Sequence, residues 1–229
     1  KTFSKIFAQS YNDKKRIENL TNFKVYNIGN LKLSKIKRNI NLINNRKEFS
    51  IMLASSHENE EEMIIKSLNK FLKKEKIKLY IAPRHPKRST EIRKILQKYN
   101  LNSSLESNLN KNNDEVIIID SFGNLEKYFN QSEIVIIGGS FVSKGGHNPI
   151  EPAIHGCAII TGNLIYNWQN IYNSMSEDQA CIIVSNIEEL RERIKSFKYN
   201  ELLLEKYKKK AINFSNKKFY ENEILFKEI

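Results

Sequence analysis

The stretch IVIIGGSFVSKGGHNPIEPAIHGCAIIT, residues 134–161, decides the fold. Its two apolar runs, IVII and AIIT, have the length of buried strands, and a glycine-rich loop with a short amphipathic segment separates them. Strand, helix and strand in this order indicate a βαβ unit of a parallel sheet. The sequence therefore predicts strands at Ile134–Ile137 and Ala158–Thr161 and a helix at Pro149–His155.

The same alternation of short apolar runs with longer amphipathic stretches extends along the whole chain. It predicts an α/β fold with a Rossmann-like, doubly wound parallel sheet. The further predicted strands are Lys5–Ala8, Lys24–Tyr26, Ser50–Ala54, Lys78–Ala82, Val116–Ile119 and Cys181–Val184. The further predicted helices are Asn12–Leu20, Glu58–Lys73, Ser89–Tyr99, Leu125–Phe129, Trp168–Met175, Ile187–Phe197 and a C-terminal stretch from Asn200. The polar run Asn102–Asp114 has no periodicity and predicts an exposed loop or an irregular edge.

Length and composition set limits on the fold and the partners. The chain has 229 residues, of which 40% are hydrophobic, which suits one α/β domain with part of a second. It starts at Lys1 in a predicted strand, so we expect a piece of a longer protein. No apolar run reaches the roughly 18 residues of a membrane span, and we expect a soluble chain. Cys157 and Cys181 adjoin apolar runs, which indicates reduced core residues and a cytosolic setting.

The net charge of +12 admits two interpretations. It suits a polyanionic partner such as nucleic acid, an anionic membrane or a phosphorylated lipid. Lysine, asparagine and isoleucine are abundant throughout, however, and the charges are spread over many helices, as a compositional bias would also produce.

Unusual residues collect where four predicted strands end. Ligands of doubly wound sheets bind at this carboxyl edge. The four segments are SSHENEEE (Ser55–Glu62), PRHPKR (Pro83–Arg88), SFGNLE (Ser121–Glu126) and FVSKGGHNPIEP (Phe141–Pro152). The sequence therefore predicts a ligand site built from these loops.

The GGHNPIE segment, residues 145–151, suits an anion. Gly145 and Gly146 allow close backbone approach, Asn148 can cap a helix, and Pro149 fits its first position. Free N–H groups at such a helix start attract phosphate. A carboxylate there, Glu151, fits better if it accepts hydrogen bonds from a ribose diol. Taken alone, the segment could also be an ordinary capped turn.

The PRHP segment presents Arg84 and His85 between two prolines, where a guanidinium could bind a phosphate or carboxylate. Ser55, Ser56 and His57 could instead be plain cap residues of an acidic helix start. The sequence contains no P-loop, GxGxxG, GxSxG or HExxH motif, and its four histidines form no local metal motif.

Together, the segments ASSHENEE, APRHP, DSFGNL and GGSFVSKGGHNPIEPA, in this order, resemble the C-terminal half of the 3-deoxy-D-manno-octulosonic acid (Kdo) transferases. The resemblance implies the C-terminal domain of a GT-B glycosyltransferase, a fold of two Rossmann-like domains. It also implies a domain division: residues 1–30 are the end of an N-terminal acceptor domain and a linker, and residues 31–229 form the nucleotide-sugar-binding domain.

The implied reaction moves Kdo from CMP-Kdo to the lipid A precursor, lipid IVA, in lipopolysaccharide biosynthesis. The implied location is the cytoplasmic face of the inner membrane, with peripheral contact to anionic lipid. The resemblance further implies no cofactor beyond the donor, no metal and no nucleic acid. The catalytic base would lie in the N-terminal half, so this chain would hold no catalytic residue and would be inactive alone.

The family's site residues map onto this chain as follows. Those implied to bind CMP are Pro83, Arg84, Phe122, Gly123, Asn124, Asn148, Pro149, Ile150 and Glu151. Those implied to line the cleft are Ser55, Ser56, His57, Glu58, His85, Ser140, Lys144, Gly145, Gly146 and His147.

The chain departs from the family pattern at three places. Asn59 replaces a glycine, Phe122-Gly123-Asn124 replaces Met-Gly-Glu, and Leu164 replaces a histidine. Three alternatives stay open: another GT-B transferase or epimerase, a non-catalytic module for nucleic acid or anionic lipid, and a domain that binds CMP without turnover.

Overall fold

The computed structural model of the protein describes residues 3–9, 11–28, 48–108 and 114–227. The chain divides into two compact units, Lys1–Asn39 with Ser215–Ile229, and Ile40–Phe214. The domain boundary predicted between residues 30 and 31 lies outside the described residues. That domain assignment stays a prediction.

The first unit contains two short parallel strands joined by a helix. Strand β1 is Ile6–Ala8, helix α1 is Tyr11–Leu20, and strand β2 is Val25–Asn27. Ile6 pairs with Val25 in parallel register. The βαβ unit predicted here from the alternating pattern is confirmed, with boundaries shifted by one residue.

The second unit is built on a parallel sheet, which confirms the predicted fold class. Its strands are β3 (Ser50–Ser56), β4 (Lys78–Pro83), β5 (Ser103–Leu105), β6 (Val116–Ile118), β7 (Ile134–Ile137), β8 (Ala158–Thr161) and β9 (Ile182–Ile183). Its helices are α2 (Glu60–Lys74), α3 (Ser89–Lys98), α4 (Leu125–Phe129), α5 (Ile150–Ile154), α6 (Gln169–Glu177), α7 (Ile187–Tyr199) and α8 (Glu201–Lys227), the last of which continues into the first unit.

The order of the strands places the site. Across the sheet it is β5-β6-β4-β3-β7-β8-β9, so the chain winds outward from β3 and then resumes on the other side at β7. The direction of winding therefore reverses between β3 and β7. In open α/β sheets, such a switch point opens a crevice at the carboxyl ends of the strands.

The core explains why these strands are continuous apolar runs. Strands β3 and β7 are covered on both faces, because Ile51 and Met52 of β3 and Ile134 and Val135 of β7, neighbours that point to opposite faces, are completely buried. Residues buried on both faces of a parallel sheet show no alternation with polar ones. Cys157 and Cys181 are buried thiols, as predicted.

The run Asn102–Asp114, predicted as an exposed loop or irregular edge, contains β5, which pairs with β6 at the edge of the sheet, so the edge alternative is confirmed. The strand itself was not predicted, because its residues are Ser-Ser-Leu and only half-buried. Helix α2 begins at Glu60 rather than Glu58, because Asn59 has a left-handed φ of 73°. No helix in the described part of the chain is long and apolar enough to cross a membrane.

Candidate functional site

The described loops meet in a cavity of about 160 Å³ at the switch point. Five residues predicted to form the site take part in its lining. The lining residues are Ala54, Ser55, Arg84, Leu125, Phe129, Ile137, His147, Asn148 and Glu151. The cavity thus combines a guanidinium, an imidazole, an amide and a carboxylate with four apolar side chains, those of Ala54, Leu125, Phe129 and Ile137.

The end of β3 forms one wall of the cavity. Ser55 has a φ of 57°, and the pairing of β3 with β4 shifts register between Ala54 and Ser56. A serine in this region is strained, and such strain is often found at functional sites. The carbonyl of Ser56, completing this turn, accepts a hydrogen bond from the N–H of Arg84 at 2.9 Å. The ends of β3 and β4 are therefore fixed to each other.

Glu60 is a scaffold residue that sequence reasoning missed. One oxygen of its buried carboxylate accepts the N–H groups of His57 (2.9 Å) and Gly139 (2.7 Å), and the other accepts that of Phe141 (3.0 Å). Burial raises the pKa of Glu60, and the three donors oppose that shift. This carboxylate ties the loop after β3 to the loop after β7. In the sequence it was only one of several acidic residues at a helix start.

Two arginines of the PRHPKR segment have different environments. Arg88 donates to Glu61, which is buried, at 2.7 Å and to Glu91 at 2.9 Å. The guanidinium of Arg84 makes no hydrogen bond or ion pair with any described residue, although it lines the cavity. Arg88 is therefore structural, whereas Arg84 is available to an anionic ligand.

The loop after β7 requires its glycines. A Cβ on Gly138 would lie 2.5 Å from the carbonyl oxygen of Ser55, and one on Gly145 would lie 2.4 Å from Nδ2 of Asn167. Gly139, Gly145 and Gly146 all have positive φ values. The close backbone approach predicted for Gly145 and Gly146 is thus present, since Gly145 lies against the side chain of Asn167.

Ser140 and Lys144 occupy opposite environments in this loop. The Ser140 hydroxyl is fully buried, donates to the Ile137 carbonyl at 2.6 Å and accepts the N–H of Gly162 at 2.8 Å. This favours a structural role for Ser140. Lys144 is exposed.

Asn148 and Glu151 form a polar pair at the start of α5. The helix begins at Ile150 with Pro149 at its N-cap, so the predicted start, with Asn148 as cap and Pro149 as first helical residue, was one residue early. The side-chain oxygen of Asn148 nevertheless accepts the N–H of Ile150 at 2.9 Å, and its Nδ2 donates to Glu151 at 3.3 Å. Burial raises the pKa of Glu151, and the bond from Asn148 opposes that shift. A half-buried carboxylate with only one weak partner is suited to accept further hydrogen bonds.

Three histidines lie at the rim of the cavity. The rings of His57 and His147 are parallel within 5°, with centroids 5.1 Å and Nε2 atoms 2.9 Å apart, so they meet edge to edge; His85 meets His57 edge-on at a centroid distance of 6.3 Å. Burial lowers the pKa of both His57 and His147 to about 4, and the neighbouring cations act in the same direction. Both rings are therefore neutral at pH 7.

The SFGN turn lies beside the cavity. Phe122 is 78% exposed and Gly123 has a φ of 90°. Asn124 donates to Glu106 at 3.1 Å and to Ser121 at 2.9 Å, which holds the turn in place. Of this segment only Leu125 lines the cavity, and Glu58 and His85 are exposed without lining it. The predicted roles of these residues stay predictions.

The fold and the position of the site define the class of protein. A parallel sheet of this order with a polar cavity at the switch point is the C-terminal Rossmann-like domain of a GT-B glycosyltransferase. A glycosyltransferase from Rickettsia africae superposes with a TM-score of 0.62 at 16% identity, over 98% of this chain and 61% of that chain. No protein-family model matches the chain.

Closer relatives narrow the similarity to one family. The 3-deoxy-D-manno-octulosonic acid transferase of Rickettsia typhi is 32% identical over 93% of this chain and 49% of its own length. The C-terminal CMP-Kdo binding domain of WaaA from Acinetobacter baumannii has a TM-score of 0.69 at 25% identity, over 76% of this chain and 90% of that chain. Over most of its length the chain is similar to the C-terminal half of Kdo transferases. It spans about half the length of the curated relatives it matches.

Proposed function

We propose that this chain binds the CMP part of CMP-Kdo and that the whole protein transfers Kdo to the lipid A precursor. The observation that carries the proposal is that Arg84 and Glu151 line the same cavity. The guanidinium of Arg84 has no ionic partner among the described residues, so it is available to a phosphate. The binding of CMP-Kdo by the related Acinetobacter domain supports the same ligand.

Each polar group of the cavity suits one part of the nucleotide. The Arg84 guanidinium binds the phosphate, for which its planar donors are well matched. Glu151 accepts hydrogen bonds from the ribose hydroxyls, and Asn148 orients its carboxylate. The backbone of the turn at Phe122-Gly123-Asn124 contacts the cytosine. As CMP leaves, Arg84 stabilises the charge that grows on the phosphate.

The rest of the reaction belongs to the whole protein. In this proposal the N-terminal half supplies the acceptor site and the carboxylate that deprotonates the acceptor hydroxyl. The reaction takes place at the cytoplasmic face of the inner membrane and needs no metal or further cofactor. This half alone binds the donor and does not turn it over. A transferase or epimerase for a different sugar nucleotide is the alternative that shares the same fold.

The choice of nucleotide separates these proposals. We expect CMP to bind the purified chain with at least about tenfold higher affinity than UMP, because losing a buried hydrogen bond to the base costs about 1–3 kcal/mol. Isothermal titration calorimetry at pH 7 measures both affinities. Equal affinities, or tighter UMP binding, would favour the alternative transferase.

A further inference from the structure

The His57–His147 pair is a chemical feature that the binding of CMP alone does not use. The two rings come from different strand ends, and their Nε2 atoms are 2.9 Å apart. At that distance one nitrogen carries a proton and donates it to the lone pair of the other. In the ligand-free site each imidazole therefore satisfies the other.

The structure holds this pair at the edge of the nucleotide cavity. His147 and Arg84 line the same cavity, and the ring of His57 meets that of His147 edge to edge. The backbone on both sides is fixed, because Glu60 accepts the N–H of His57 and Tyr172 donates to the carbonyl of His147 at 2.7 Å. A Cβ on Gly139 would lie 3.2 Å from Nε2 of His147, so this glycine makes room for the ring.

Two cationic side chains, Lys144 and Arg84, face the pair together with the ring of His85. Lys144, His85 and Arg84 lie close enough to lower the pKa of His57, and Arg84 also lowers that of His147. Of the carboxylates nearby, Glu60 accepts three backbone donors, and Glu151 of the same cavity bonds Asn148 and is assigned to the ribose. Neither carboxylate is hydrogen-bonded to the side chain of His57 or His147 among the described residues.

The proposed donor carries two anions. In a sugar acid of the octulosonic type, activated as a CMP ester, the carboxylate carbon is bonded to the same anomeric carbon that carries the phosphate oxygen. The two negative groups must therefore enter the protein side by side. Arg84 is matched to the phosphate, which leaves the carboxylate to be bound by neighbouring groups.

We propose that His57 and His147 form a second anion subsite, beside the phosphate position at Arg84, that binds the carboxylate of the sugar acid and takes up one proton from solution as it does so. This inference rests on the proposed function. With the added proton, both Nε2 atoms carry hydrogen, the mutual hydrogen bond is lost, and both N–H groups turn to the carboxylate. The subsite explains how the protein distinguishes a CMP-linked sugar acid from CMP.

The sign of the pH effect follows from the ligand-free state. With a pKa of about 4, both imidazoles are neutral between pH 6 and pH 8 until an anion arrives. A bound carboxylate favours the charged form, so it raises the pKa and binding consumes protons. Affinity for a ligand with the carboxylate must therefore increase as the pH falls from 8 to 6.

Two ligands isolate the effect. CMP-Kdo carries both anions, whereas cytidine 5′-methylphosphate carries the same phosphodiester without the carboxylate and does not itself titrate in this range. We expect CMP-Kdo to bind about 3- to 30-fold more tightly to the purified chain at pH 6 than at pH 8, since one linked proton allows at most about tenfold per pH unit. The methylphosphate affinity should change less than twofold. Calorimetry in two buffers of different ionisation heat measures the proton uptake directly.

Substitutions assign the effect to the pair. His57→Gln and His147→Gln keep an amide donor but cannot be protonated, so each should remove the pH dependence and weaken CMP-Kdo about tenfold at pH 6. His57 does not line the nucleotide cavity, so its variant should also keep methylphosphate binding within about twofold of the unmodified chain. His155→Gln is the matched control, because His155 bonds Asn130 and does not itself line the cavity. It should retain the pH dependence.

The outcomes separate the two proposals. If methylphosphate binds but CMP-Kdo shows no extra proton uptake, or if both glutamine variants keep it, the carboxylate subsite is wrong and the nucleotide site stands. If neither ligand binds the unmodified chain, both proposals are overturned.

Discussion

Replacing Glu60 with alanine is expected to lower the free energy of unfolding by about 3–5 kcal/mol, a large effect for a single side chain. The carboxylate is fully buried and accepts the backbone N–H groups of His57, Gly139 and Phe141. Each buried donor left without an acceptor costs about 1–3 kcal/mol, and partial relaxation of the two loops recovers some of the total. Urea unfolding at pH 7 measures the change.

The matched control for this substitution is Glu62→Ala, on the same helix. The carboxylate of Glu62 lies at the surface, where it contacts Lys98 and Tyr99. We expect a much smaller change there, because surface ion pairs contribute little to stability. If Glu60→Ala and Glu62→Ala destabilised the protein equally, Glu60 would not be the link between the loops after β3 and β7.

Replacing Arg84 with alanine is expected to weaken CMP binding about 10- to 150-fold. A hydrogen bond to a charged group contributes about 1.5–3 kcal/mol, and each 1.4 kcal/mol changes affinity tenfold. Because Arg84 has no ionic partner among the described residues, its removal should leave stability nearly unchanged. Calorimetric titration with CMP measures the loss. Glu151→Ala should weaken CMP binding as well, through the lost contact to the ribose.

Arg93→Ala provides the control, since Arg93 is an exposed arginine of α3 that does not line the cavity. This substitution lowers the net charge by the same amount as Arg84→Ala, but it should leave the affinity for CMP unchanged. Unchanged CMP affinity in both Arg84→Ala and Glu151→Ala would contradict the assignment of the site.

Much of the fold could be predicted because its strands are apolar runs. The predicted bounds are confirmed for two strands, Ile134–Ile137 and Ala158–Thr161. Strands buried on both faces of a parallel sheet are continuous apolar runs, so the change to polar residues marks where they end. The edge strand β5 lacks that signal, as its residues are only half-buried. Helix α2 begins two residues after its predicted start, because the sequence does not show the left-handed conformation of Asn59.

Parts of the site could be predicted for the same reason. Parallel strands bring their carboxyl ends to one edge, so Ser55, Arg84 and Glu151, far apart in sequence, were expected to lie close together, and all three line the cavity. Hydrogen bonds between different loops cannot be recognised from a pattern in the sequence. The three donors to Glu60 and the contact between His57 and His147 depend on a register that only the folded sheet defines.

The most direct test of the central claim is hydrogen–deuterium exchange of the chain with and without CMP. The proposed site predicts slower exchange at the four strand-end segments, residues 54–58, 83–85, 121–125 and 145–151, with little change elsewhere in Ile40–Phe214. A second basic cavity, lined by Lys66, Lys70, Lys74, Arg191 and Lys195 between α2 and α7, offers the contrasting location. Protection of that cavity instead of the strand ends, or no protection at saturating CMP, would contradict the assignment of the nucleotide site.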